Sequence, residues 1–192
     1  MRSHLINENN NFIAGWYFDD TTVCDETIKF FESNKQLQKT GVVGDKTVDV
    51  KEKDSTDLTM LQEYDISAKY INELKNVVNQ YRKKYTMVDC QQSWSIVEHP
   101  NIQRYNENQG YHIWHHERTR NDKPICDRVL VFMTYLNDVK QGGETEFYYQ
   151  KAKIKPEKGL TLIWPCDWMF THRGLTSSEE VKYIITGWLS FY

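Results

Sequence analysis

Two histidines and one carboxylate in this chain could share a single metal ion. The run Tyr111-His112-Ile113-Trp114-His115-His116-Glu117 is aromatic-rich and leads into a charged stretch, the pattern of a strand. Side chains alternate faces along a strand, so His115 and Glu117 share one face while His112 and His116 share the other. An imidazole and a carboxylate so placed supply two ligands of a facial His₂-carboxylate triad, and the third must come from elsewhere in the fold. Such a triad leaves positions open for a co-substrate and O₂, which is what a non-haem Fe(II) oxygenase requires. His172 is the one histidine downstream of Glu117 and closes a predicted strand. A His-x-Glu pair alone also fits an exposed strand end, and the same donor set suits zinc. Its surroundings have to discriminate.

The elements that would carry these residues follow from periodicity. Phe12–Tyr17 reads as a first short strand. A helix opens near Asp20–Thr22, whose side chains can cap free N–H groups, and Cys24, Ile28 and Phe31 recur at helical spacing. Lys35–Asp57 is polar, mixes both charges and contains Gly41 and Gly44, so it reads as a mobile, solvated loop. From Asp65 to Tyr85, Ile66, Tyr70, Leu74, Val77, Val78, Tyr81 and Tyr85 form one apolar stripe, a helix packed against a sheet. After Met87 the pattern turns to short strands at Gln91–Val97, Ile102–Tyr105, Tyr111–Glu117, Arg128–Leu136, Thr145–Gln150, Leu160–Pro165, Met169–His172 and Val181–Phe191. Turn signals separate them, among them Gly142-Gly143. The expected fold is α+β, mainly β: a jelly roll or barrel of two packed sheets buttressed by N-terminal helices. No linker or repeat interrupts it, so residues 1–192 read as one domain, with helical support over about 12–87 and the barrel over about 88–192.

Composition narrows the class. A net charge of −3 gives no electrostatic case for a general nucleic-acid binder. No apolar run approaches the roughly 18 residues of a membrane span, and the polar Met1–Asn11 stretch does not read as a secretory signal. Cys24, Cys90, Cys126 and Cys166 are widely spaced and form no Cys-x-x-Cys pair, which favours reduced thiols and a cytoplasmic location.

From about Ile102 to Tyr192 the chain closely resembles the prolyl 4-hydroxylase branch of the 2-oxoglutarate/Fe(II) dioxygenases. The resemblance rests on blocks in order: Tyr105, then Gln109-Gly110-Tyr111 and His115-x-Glu117; Arg128 through Tyr135-Leu136-Asn137-Asp138; Gly142-Gly143-Glu144-Thr145-Glu146-Phe147; Ile154-x-Pro156-x-x-Gly159; and His172, Lys182 and Gly187-Trp188. It implies a double-stranded β-helix, the cupin-like jelly roll. It also implies Fe(II) held by His115, Glu117 and His172, and Lys182 pairing with the distal carboxylate of 2-oxoglutarate (2OG). Tyr105 and Tyr135 would line the 2OG pocket and hydrogen-bond that carboxylate, and Arg128 and Trp188 would lie near the peptide-binding side. A lysine facing a barrel interior is costly if unpaired, so Lys182 asks for an anion. The family places Asp where Glu117 stands; the longer arm carries the same carboxylate and keeps the ligand set, and a carboxylate there argues against halogenation.

The implied activity is hydroxylation coupled to conversion of 2OG and O₂ to succinate and CO₂, with ascorbate as a reductant. The implied substrate is a protein or peptide, with peptidyl proline first. A free amino acid or another protein side chain would fit the same chemistry. An idle cupin-like binding module is the alternative from another class, and a zinc hydrolase using the same ligands is a second. The polar 41–57 stretch and the charged Arg118–Asp127 loop are candidates to cover substrate.

Overall fold

The structure is a computed structural model that describes residues 1–6, 11–44, 47–90 and 92–192. The predicted 35–57 and 91–97 segments and the polar Met1–Asn11 stretch are assessed only over those residues; residues 7–10, 45–46 and Gln91 lie outside them.

The expected helices form as α1 (Thr22–Ser33) and α2 (Asp65–Lys84). Asp20 Oδ1 accepts the Thr22 N–H at 2.9 Å, which satisfies one free donor at the start of α1. Among the described residues the strands are β1 (Ser3–His4), β2 (Ala14–Tyr17), β3 (Lys39–Thr40), β4 (Thr56–Thr59), β5 (Trp94–Ile96), β6 (Asn101–Tyr105), β7 (Tyr111–His115), β8 (Arg128–Tyr135), β9 (Thr145–Phe147), β10 (Ala152–Ile154), β11 (Leu160–Pro165), β12 (His172–Gly174) and β13 (Lys182–Phe191). They make two sheets. The larger runs β1-β2-β11-β8-β13-β6-β4-β3, with β5 also paired to β13; the smaller runs β10-β9-β12-β7. This is the jelly roll expected from the strand pattern, built as two sheets and not as one closed barrel.

Alternation along β8 shows how the layers form. Leu130 and Phe132 point to the helices, while Val131, Met133 and Tyr135 point between the sheets. On the helix side they meet Leu74, Val77 and Tyr81 of α2, all essentially inaccessible to solvent. Polar groups buried on that face satisfy one another: Tyr70 Oη lies 2.9 Å from Thr134 Oγ1, which lies 2.7 Å from Thr161 Oγ1. Truncating Leu74, fully buried at the centre of the stripe, to alanine should cost about 2–5 kcal/mol, read as a lower urea midpoint at unchanged slope.

Three expectations need correction. The predicted strand at Met169–His172 is a 3₁₀ turn over Trp168–Phe170, held by Phe170 N–H to Asp167 O at 2.8 Å, and β12 begins only at His172. The strand expected to run through Glu117 ends at His115. The solvated 35–57 loop contains β3 and the start of β4, and its Lys53, Ser55 and Asp57 are buried. Backbone pairing is the reason: His112 N–H donates to Glu52 O at 2.7 Å and Asp54 N–H to Gly110 O at 2.9 Å, so residues 52–54 lie along β7. The same segment then joins the larger sheet through β4, and so straps the two sheets together at one edge. Among the described residues no helix is long and apolar enough to cross a membrane.

Candidate active site

The site lies between the sheets, in a cavity of about 940 Å³. β7 and β12 pair so that His115 and His172 sit directly opposite, with ring centroids 4.3 Å apart. Each ring is fixed by its far nitrogen. His115 Nδ1 lies 3.1 Å from Ile113 O and His172 Nδ1 lies 2.9 Å from Phe170 O. A carbonyl only accepts, so Nδ1 carries the proton in both rings and the Nε2 lone pairs stay free. Those lone pairs converge on Glu117, whose Oε1 is 3.6 Å from His115 Nε2 and 3.5 Å from His172 Nε2. Glu117 follows β7 on a bend and is held there by its N–H, which donates to Cys166 O at 3.1 Å.

One donor atom from each of the three residues falls within 4.8 Å of the others. Donors bound at about 2.0–2.2 Å to one tetrahedral or octahedral ion stand roughly 3.0–3.4 Å apart, so slight contraction would bring the set around a metal. Protonation agrees. Burial, reinforced by His172, pushes the His115 imidazole down to about 3, which keeps it neutral and able to ligate. Burial pushes the Glu117 carboxyl up, but the polar groups around it, the two imidazoles and the Arg128 guanidinium, outweigh it and hold it at about 2, so it stands as a carboxylate.

Deeper in the cavity, Lys182 opens β13 opposite Tyr105. Lys182 is 4% exposed, and its ammonium donates to Gly143 O at 2.9 Å and Leu175 O at 3.3 Å. Two carbonyls leave one of its three protons unused, and among the described residues no carboxylate stands within ion-pair distance. Burial, partly offset by Glu144, pushes Lys182 down to about 8. The turn that carries its anchor needs glycine: Gly142 and Gly143 both have φ of +73°, and a Cβ on Gly142 would stand 2.3 Å from Thr176 O. Tyr105 lines the cavity, with its ring centroid 4.8 Å from Lys182 Nζ and its hydroxyl donating to Gln103 Oε1 at 2.7 Å.

Tyr135 departs from expectation. It is fully buried outside the cavity wall, and its hydroxyl bonds Thr145 Oγ1 at 2.6 Å and Ile154 O at 3.0 Å. It faces between the sheets as strand parity requires, but Thr145 of β9 lies in front of it and forms the wall. Arg128 and Trp188 do reach the site. The Arg128 carbon lies 3.5 Å above the Trp188 ring, and Trp188 Nε1–H donates to Glu117 Oε2 at 2.9 Å.

Other wall residues were not anticipated. Tyr111 stacks on His115 at 3.7 Å with planes 13° apart, and Trp164 abuts His172 edge-on at 5.0 Å. Lys53 forms a buried ion pair with Asp57 at 2.7 Å, and Asp57 also accepts from Ser55 and Asn101. The available signal was parity: Lys53, Ser55 and Asp57 alternate as the inward face of an extended segment would.

The family model of the 2OG-Fe(II) oxygenase superfamily matches residues 100–190, the stretch that contains all three metal-capable residues and Lys182. Over that stretch the chain is similar to the 2OG-Fe(II) oxygenases. Such an oxygenase uses Fe(II), with 2OG and O₂ as co-substrates, and the His₂-carboxylate donor set with a buried ammonium close by fits both a hard metal and a dianion. Solved structures resemble this chain over 95% of its length. A viral collagen prolyl hydroxylase from Paramecium Bursaria Chlorella virus-1, in a 2OG complex, is 20% identical, with 98% of that chain covered and a TM-score of 0.70. A Pseudomonas putida prolyl-4-hydroxylase is 11% identical, with 94% covered and a TM-score of 0.70. A Trichoplax adhaerens prolyl hydroxylase, bound to a peptide fragment of the hypoxia inducible factor oxygen degradation domain, is 16% identical, with 84% covered and a TM-score of 0.74. At these identities the likeness speaks for the fold. No curated protein matches the chain in sequence.

Proposed function

We propose that this chain hydroxylates peptidyl proline, with His115, Glu117 and His172 holding Fe(II) and Lys182 holding the distal carboxylate of 2OG. One observation carries the site assignment: a cavity has three converging ligand atoms in its wall and, deeper in, a buried ammonium paired only with carbonyls. Leaving such a charge unmatched is expensive, and a dianion chelating the metal would match it. When bound, Fe(II) supplies the O₂ and C–H chemistry, coupled to oxidative decarboxylation of 2OG to succinate and CO₂.

The rest of the work belongs to the chain. The Nδ1–H bonds fix both imidazoles. Tyr111 and Trp164 shield them from water, and Tyr105 shapes the co-substrate channel between Lys182 and the metal. The mouth, edged by Lys53–Asp57 and the charged 118–127 loop, would admit an extended peptide, and the prolyl hydroxylase structures that share the fold favour proline. The four cysteines are free thiols, which supports a reducing, cytoplasmic setting, and ascorbate would serve as reductant. The deciding assay is succinate formation against proline-containing peptides and free amino acids, with mass detection of one added oxygen. Hydroxylation of free amino acids but of no peptide would refute the substrate assignment.

A pH dependence follows from Lys182. Its pKa of about 8 in the free protein lies below the ordinary lysine value because the charged form is desolvated. The bound carboxylate needs the ammonium, so 2OG binding holds the proton on. Affinity for 2OG should be flat below pH 8 and fall up to about tenfold per pH unit above it, measured by anaerobic titration. A flat profile to pH 10 would contradict the pairing.

A further inference from the structure

Glu117 is one methylene longer than the aspartate usual in this family, and a longer, freer carboxylate can close onto a metal through both oxygens. That would occupy a position needed for co-substrate or O₂. The structure holds the second oxygen elsewhere. Oε1 faces both imidazoles, whereas Oε2 accepts the Trp188 indole N–H at 2.9 Å. The indole is fixed in turn by Arg128, stacked 3.5 Å above its ring. Arg128 is itself immobilised: its Nε and NH2 donate to the two oxygens of Glu98 at 2.8 and 2.7 Å, and NH1 donates to Glu117 O at 3.1 Å. Its guanidinium pairs closely with Glu98, at 2.7 Å, and stands farther from Glu117 Oε2, at 3.8 Å, so it fixes the indole without taking the place of the Trp188 N–H on that oxygen.

We propose that Trp188 and Arg128 are positioning residues that keep Glu117 bound to the metal through Oε1 alone, with Glu98 as the anchor of the chain. The proposal rests on His115, Glu117 and His172 being the metal ligands. It gives Arg128 and Trp188 an inward task, in place of the peptide contacts that resemblance alone assigns them: the single Trp188 donor and three of the five Arg128 donors already bond to Glu117 and Glu98.

The test is Co(II) affinity of the purified protein, followed by its visible absorption. Trp188→Phe keeps an aromatic ring under Arg128 and removes the N–H together with part of the indole, a packing loss that the Glu117→Asp background shares. It should weaken Co(II) binding about 10- to 100-fold, the usual cost of losing an outer hydrogen bond to a ligand. In a Glu117→Asp background the shorter arm has already left the indole, so Trp188→Phe should change affinity by less than about twofold, the signature of coupled sites. Equal weakening in both backgrounds would show a general structural role and overturn the proposal. Unchanged Co(II) affinity with a raised peptide KM would overturn it in favour of a substrate contact. Wild-type protein that takes up no Co(II) would refute the metal site itself. Should Trp188→Phe not fold, the six indole N–H signals of ¹⁵N-labelled protein decide. Zn(II) should move one of them in wild type that stays put in Glu117→Asp, and no movement in either protein overturns the proposal.

Discussion

Replacing His172 with alanine should abolish succinate formation and the weak visible charge-transfer absorption that Fe(II) and 2OG give together under anaerobic conditions. Fe(II) affinity should fall by at least about 100-fold, since even changes one shell outside the ligands cost about 10- to 100-fold. The reason is geometric. His172 opposes His115 directly across the β7–β12 pair, and among the described residues these two imidazoles and Glu117 form the metal-capable cluster. His172 also packs between Phe147 and Trp164, so alanine leaves a gap, and His172→Gln, closer in volume, is the control for lost packing. Both variants should keep a cooperative thermal transition while losing the absorption band. A His172→Ala protein with the wild-type band would end the iron assignment. Activity with Zn(II) and no need for 2OG would favour the hydrolase alternative.

Much of this arrangement is legible in the residues alone, for definite physical reasons. α2 carries an uninterrupted apolar stripe from Ile66 to Tyr81 because it faces a sheet along its whole length, and a stripe that long requires an equally long apolar surface to cover it. His115 and Glu117 share a face by simple alternation, although the strand ends between them and a bend finishes the job. β1, β3 and β10, of two or three residues each, have no periodicity to find. The Lys53–Asp57 pair was hidden differently. Its burial depends on Asn101, on Tyr111 and on the pairing of residues 52–54 with β7, all supplied by chain far downstream. A polar, glycine-containing stretch reads as solvated loop unless those partners are known. Tyr135 shows the converse limit. Parity correctly turns it inward, but whether an inward tyrosine meets a cavity or a neighbour depends on Thr145, which only the three-dimensional arrangement places.

Lys182→Ala should separate the two halves of the site. Removing one partner of a buried, desolvated ion pair typically costs about 3–5 kcal/mol, so 2OG affinity should fall roughly 100-fold to several thousand-fold. Lys182 is 4% exposed, so little solvent screening reduces that figure. Fe(II) or Co(II) binding without 2OG should stay near wild type, because the ammonium is not among the ligand atoms and its own bonds run to Gly143 O and Leu175 O. Stability should not suffer in proportion. In the free protein the buried charge is poorly compensated, as its lowered pKa of about 8 records, so deleting it removes a desolvation cost along with two hydrogen bonds. Lys182→Arg retains the charge and should recover part of the 2OG affinity, whereas Lys182→Met, apolar and similar in length, should not. The anaerobic charge-transfer band titrated with 2OG at saturating Fe(II) reads the co-substrate half, and calorimetry with Co(II) alone reads the metal half. Equal losses in both would mean that Lys182 supports the architecture of the cavity instead of binding the diacid, and the co-substrate would then need another cation from its walls.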